Sequence, residues 1–227
     1  MPDYAAMYRD LRGRVAGVVR DTDPALLDAM APAAPDWRVR DLVAHLGGVC
    51  ADVVNGNLDG VTTDPWTAAQ VDTRRAWTIE QVLDEWDEHG GGVEAIIRTV
   101  PDLPEWQTFI ADAVTHEHDI RGAVAQLGAR DSDALIAVAT AAVDGLDARL
   151  ASGQLGTLTI ALDDEAPTTV GAGPLATSLR ISRFEFVRSL TGRRSVSQIE
   201  AYDWTGEPQP EWLVFGIFTP RATPLVE

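Results

Sequence analysis

The chain is short of cysteine, of basic residues and of long apolar runs. Its 227 residues include one cysteine, which excludes an internal disulfide framework and suits a reducing compartment. Basic residues number 18 against 35 acidic ones, a formal net charge of -17 at pH 7. That balance excludes a nucleic-acid footprint, because phosphates need cationic partners, and it is repelled by an anionic membrane surface. Its plain physical effect is solubility. No apolar run approaches the roughly 18 residues that a membrane span requires. The opening segment Met-Pro-Asp-Tyr-Ala5 lacks the basic and apolar regions of a signal peptide. There is no internal repeat and no low-complexity tract. These absences predict a cytoplasmic protein with no nucleic-acid or membrane partner.

What is present is enough apolar side chain for a full core, 45% of residues, which suits one large domain or two small ones. Residues 3–20 read as a helix with apolar positions at three- and four-residue steps. Asp23-Pro24 opens a short piece to Met30, and Ala31-Pro-Ala-Ala-Pro35 breaks it. Helices follow over about 39–54 and 66–75, with a loop at Asn55–Pro65. The capping box Thr78-Ile-Glu-Gln81 opens a helix to about His89, which resumes after Gly90-Gly-Gly92 as far as Arg98. Residues 106–127 make a strong helix, ended by Gly128. The first 128 residues thus read as all helical. Beyond them the pattern is mixed. Asp131–Ala151 is helical, Gly156–Leu162 alternates like a strand with Thr168–Gly171 as its partner, and 174–191 reads as helix. Ser195-Val-Ser-Gln198 caps another short helix, and Trp212–Phe218 is a last strand or a packed tail.

Three of the four histidines lie in two short segments, Trp37-Arg-Val-Arg-Asp-Leu-Val-Ala-His45-Leu46 and Asp112-Ala-Val-Thr-His116-Glu-His118-Asp-Ile-Arg121. At about 3.6 residues per turn, Asp112 and His116 share one face at the edge of the apolar stripe of their helix. His45 sits at the edge of its own stripe. Glu117 falls inside the stripe, and His118 points nearly away from it. One histidine plus an i,i+4 Asp/His pair makes three ligands of a catalytic metal site with a position left open. Zinc, nickel, iron and manganese all suit such donors. Spacing alone equally suits a polar helix edge with no metal, since i,i+4 pairs stabilise helices by themselves. Cys50 lies in an apolar stripe as a core residue, and Trp37, Trp77, Trp86 and Trp106 are also read as core. Asp119 and Arg121 either orient a ligand histidine or form a local salt bridge.

The two segments, written Trp37-x-Val-Arg-Asp-Leu-Val-x-His45-Leu and Asp112-x-x-x-His116-x-x-Asp119-x-Arg121, resemble the mycothiol-dependent maleylpyruvate isomerase family of actinobacteria. Ser189-Leu-Thr-Gly-Arg193 and Phe218-Thr-Pro-Arg221 are similar to elements of that family's C-terminal domain. The resemblance implies an α+β protein: a DinB-like metal-binding four-helix bundle over 1–128 and a small mixed α/β C-terminal domain over 129–227. It implies His45 and His116 as metal ligands. The family's third ligand is a glutamate four residues before the second histidine. Here Asp112, one methylene shorter, stands in that place. Glu117, pointing toward the core, is a substitute ligand or an outer partner of one.

The activity so implied uses a divalent metal, zinc first and nickel, iron or manganese as alternatives, with mycothiol as thiol cosubstrate. A metal-stabilised thiolate adds to an activated double bond or displaces a leaving group on a small substrate. The result is an isomerase or a thiol S-transferase. Arg193, and second Arg74, are the arginines expected to grip a carboxylate. Two other classes remain open: a metal-dependent hydrolase in which water attacks, and a non-catalytic DinB-like binding protein that has lost its metal.

Overall fold

Asp3 caps the first helix, α1 (Tyr4–Arg20), by accepting from the Ala6 amide, and the helix buries Tyr4, Tyr8, Leu11, Val15 and Val18 along one side. In the computed structural model, residues 2–216 and 218–227 are described. The chain divides into two compact units, Met1–Gly128 and Ala129–Glu227.

In the first unit, Asp23 caps α2 (Pro24–Leu27). The segment read as a simple break is instead a small antiparallel hairpin of β1 (Met30–Ala31) and β2 (Ala34–Arg38). Pro32 and Pro35 forbid a helix here, and the backbone pairs locally, Ala31 against Ala34. So this unit is not wholly helical. At the entry to α3 (Val39–Asn55), Asp41 accepts from both the backbone and the guanidinium of Arg38. Gly56, at φ +70, ends that helix. Next come α4 (Asp64–Arg74), α5 (Ile79–Thr99) and α6 (Glu105–Ala123). The expected interruption of α5 at Gly90-Gly-Gly92 does not occur. Neighbours explain the glycines: a Cβ on Gly90 would lie 2.4 Å from the Arg12 guanidinium carbon, and one on Gly92 would lie 3.0 Å from Val54. Tertiary packing thus overrides the low helix propensity of glycine. Helix α6 stops at Ala123 rather than 127, where the chain turns left-handed at Ala125 and the Arg121 guanidinium caps the Gln126 carbonyl.

Helices α1, α3, α5 and α6 pack on one another as a four-helix bundle, with α4 laid on α3. Leu11, Leu42, Trp86 and Ile110 are among its fully buried side chains. Among the described residues no helix is long and apolar enough to cross a membrane.

In the second unit, Ser132 caps α7 (Asp133–Gly153), which packs on β3 (Gly156–Leu162) and β4 (Thr168–Ala172). The stretch 174–191, expected to be one helix, splits into β5 (Ala176–Ile181) and α8 (Arg183–Leu190). Thr177, Leu179 and Ile181 alternate inward along β5, a period of two that outweighs the helical reading, and Ser182 caps the helix that follows. After α9 (Val196–Glu200) comes β6 (Asp203–Thr205). The sheet order is β4-β3-β5-β6. Strand β3 runs parallel to β5 and antiparallel to β4, and β6 is antiparallel to β5. Of the stretch Trp212–Phe218, the start belongs to a packed 3₁₀ turn at Pro210–Leu213 that buries Trp212 and Leu213, and Ile217 lies outside the described residues. The architecture is α+β.

Candidate metal centre

Helix α3 carries His45 and helix α6 carries Asp112 and His116, and the packing of α3 against α6 brings the three together. One potential ligand atom from each lies within 4.8 Å of the others. The His45 Nε2 stands 3.3 Å from one Asp112 oxygen, and the His116 Nε2 stands 3.5 Å from the other. The shorter aspartate therefore reaches the space between the two imidazoles. Donors bound at about 2.0–2.2 Å around a tetrahedral ion stand roughly 3.4 Å apart, so this donor set fits a divalent metal in chemistry and in scale.

The outer nitrogens are anchored. The His45 Nδ1 is 2.7 Å from the Gln70 side-chain oxygen, and the His116 Nδ1 is 3.0 Å from Asp119, which is fully buried. Such outer partners fix tautomer and ring orientation in metal-binding histidines. Trp37 stacks on His116, with ring centroids 5.9 Å apart and planes at 10°, and meets His45 edge-on. Two imidazoles facing one carboxylate also polarise the group. Burial pushes the Asp112 carboxyl up, but His45 and His116 outweigh it and hold it well below the usual carboxylate range. Burial pushes the His116 imidazole down, but Asp112 and then Asp119 outweigh it and raise it to about 9. Without a metal, a proton on His116 balances Asp112.

Glu117 is not part of this cluster. Both of its oxygens are taken by the Arg14 guanidinium, at 2.9 and 2.8 Å, and Arg121 donates to one of them at 3.1 Å. His118 also stands outside the cluster, yet it is buried rather than solvent-facing. His89 lies within α5 rather than at a helix end. Cys50 is fully buried, and burial pushes its thiol up to about 11, which suits an inert core residue. Trp86 and Trp106 are buried as expected, whereas Trp37 walls the cluster. Sequence reasoning gives Gln70 no role and reads Trp37 as core; Asp119 is visible only as one of two alternatives.

The two candidate arginines have different surroundings. Arg74 is buried. Its guanidinium donates to Glu85 and to the Gln70 backbone oxygen. Arg193 belongs to the second unit, donates to the Thr191 carbonyl and lies over the Phe218 ring. Gly192 before it has φ +73, and a Cβ there would lie 2.6 Å from the Thr219 carbonyl. The Leu-x-Gly-Arg and Phe-Thr-Pro-Arg elements thus meet within one unit.

Comparison with known proteins bears on this arrangement. A crystal structure of a histidine-to-alanine variant of the mycothiol-dependent maleylpyruvate isomerase is similar in fold, with a TM-score of 0.57 at 12% identity, covering 85% of this chain and 90% of that one. A second structure of that isomerase gives 0.55 at 13% with the same coverage. At such identity the likeness is one of fold. No functionally curated protein matches the chain. The profile of the mycothiol maleylpyruvate isomerase N-terminal domain matches residues 8–121, half of the chain, running from α1 into α6 and spanning the cluster His45, Asp112 and His116; the chain belongs to that family.

Proposed function

We propose that the protein is a metal-dependent enzyme of the cytoplasm that takes mycothiol as thiol cosubstrate. It acts as an isomerase or thiol S-transferase on a small electrophilic, carboxylate-bearing substrate, in an actinobacterial cell. The observation that carries this reading is the convergence of His45, Asp112 and His116 with both outer histidine nitrogens anchored. In this reading residues 1–128 form the metal-binding domain and 129–227 the small α/β domain.

A divalent ion held by these three side chains, zinc first and nickel, iron or manganese as alternatives, supplies Lewis acidity that favours thiolate over thiol at neutral pH. The chain's own groups do the rest. His45 and His116 offer Nε2 lone pairs, and Asp112 supplies negative charge. Gln70 and Asp119 hold the rings in place, and Trp37 screens one side from water, which strengthens the electrostatics inside. Arg193 is the proposed grip for a carboxylate of substrate or thiol. Arg74 enters instead as a support, because Glu85 already holds its guanidinium. A thiolate that adds to an activated double bond, followed by bond rotation and elimination, gives cis–trans isomerisation and returns the thiol. Addition without elimination leaves a thioether.

Elemental analysis of purified protein, followed by a mycothiol binding isotherm on the metal-loaded form, tests the reading. Stoichiometric metal and saturable thiol binding are expected. Protein that takes up neither zinc nor nickel overturns it in favour of a non-catalytic bundle, and metal uptake without thiol binding moves it to a metal-dependent hydrolase.

A further inference from the structure

Gln70 reaches the cluster from α4, and it is almost wholly buried, with 3% of its surface exposed. Its side-chain oxygen meets the His45 Nδ1 at 2.7 Å, and its amide nitrogen donates to Asp52 at 2.9 Å. Asp52 is fixed in turn by the Asn57 amide at 2.9 Å. The Gln70 backbone oxygen accepts from Arg74 at 2.9 Å, and Glu85 holds Arg74 from the other side.

This chain of bonds has one consistent polarity. A carboxylate only accepts, so Asp52 obliges Gln70 to turn its NH2 that way and its oxygen toward His45. A carbonyl oxygen also only accepts, so the His45 Nδ1 must carry a proton. Nε2 is then the nitrogen whose lone pair serves the cluster. Helix packing is shaped to allow it: a Cβ on Gly48 would lie 2.5 Å from the Gln70 Cβ and 2.8 Å from the Arg74 guanidinium, so only a glycine lets α3 and α4 approach closely enough.

We infer that Gln70, oriented by Asp52 and braced by Arg74, is a positioning residue that locks His45 in the tautomer able to bind metal through Nε2. The inference rests on the metal-centre reading above. It also separates the two histidines by the charge of their supports, a neutral amide for His45 and a carboxylate, Asp119, for His116.

The test measures Co2+ affinity by chelator competition and follows the His45 ring N–H by proton NMR in 15N-histidine-labelled protein. Gln70→Leu is expected to weaken Co2+ binding by about 10–100-fold, the usual cost of losing an outer partner, and to abolish the protected Nδ1–H resonance. The double variant Gln70→Glu with Asp52→Asn exchanges donor and acceptor while keeping the bond to His45, and is expected to restore both. A Gln70→Leu protein that keeps wild-type affinity and a protected Nδ1–H overturns the inference, as does a double variant no better than Gln70→Leu. If wild-type protein takes up no Co2+, the metal-centre reading fails, and NMR on the metal-free protein decides the tautomer: a Nδ1–H lost in Gln70→Leu supports the lock, and an unchanged one overturns it.

Discussion

Helix α6 carries two polar clusters side by side, and they differ in how their charges are satisfied. At Glu117 a buried carboxylate meets the guanidinium groups of Arg14 and Arg121. Guanidinium donors and carboxylate acceptors are complementary, so each oxygen is matched by an N–H of opposite charge. At His116, one residue earlier, three acceptor-bearing groups face each other: two imidazole Nε2 atoms and the Asp112 carboxylate. Lone pairs that converge need a cation, whether a proton or a metal. The Glu117 side chain is 1% exposed and the Asp112 side chain 36%, so the deeper carboxylate is not the one that marks the site. What marks it is that the cation facing Asp112 is an exchangeable proton or metal, whereas the cations facing Glu117 are fixed guanidinium groups.

Variants can break that contrast, beginning with the largest effect. His45→Ala or His116→Ala should weaken metal binding by more than about 100-fold, since even outer partners are worth 10–100-fold, while His118→Ala should leave affinity nearly unchanged in the same competition assay. Equal losses for His45 and His118 would show that the cluster is wrongly composed. Glu117→Ala should do the reverse. Leaving Arg14 and Arg121 without their carboxylate should cost about 3 kcal/mol, the low end for a broken buried pair because Arg14 keeps some solvent contact. Urea unfolding reads that loss, and metal affinity per folded molecule should hold; a large drop in affinity would join the two clusters into one site. Adding metal to about 100 times its dissociation constant should stabilise the protein by about 2.7 kcal/mol, raising Tm in wild type but not in His116→Ala. The last probe is pH, applied to the metal-free protein. The His116 imidazole is raised to about 9 in the fold from about 6.5 unfolded. Its contribution is therefore fully present below pH 6.5 and fades as pH climbs to 9. Thermal melts should show that decline in wild type and a flatter profile in His116→Ala.

Sequence and structure agree best where a local pattern decides. The boundaries of α3, the strand Gly156–Leu162 and the capping boxes at Thr78 and Ser195 all follow from spacing or from one side chain next to its own backbone. The same holds for the Asp112/His116 pair, which is set by helix periodicity alone. Disagreements arise where a distant partner decides. Gly90 and Gly92 look like a break until Arg12 and Val54 are seen filling the space beside them. Residues 176–181 look helical until β3 offers a parallel edge. Gln70 stands 25 residues from His45 in a loop-flanked helix, and no local signal ties the two together. Glu117 was rightly placed inside the bundle by its angle, but the sequence carried no sign that Arg14, 103 residues away, would be its partner.

The stacking of Trp37 on His116 has a spectroscopic consequence. An indole lying parallel to an imidazole, with ring centroids 5.9 Å apart, feels that ring's charge, and a protonated imidazole quenches indole emission far more than a neutral one. Exchange of the His116 proton for a metal ion therefore changes the light that Trp37 emits. The difference between wild type and Trp37→Phe isolates that signal from the other six tryptophans, so occupancy of the centre is legible in fluorescence without any added dye.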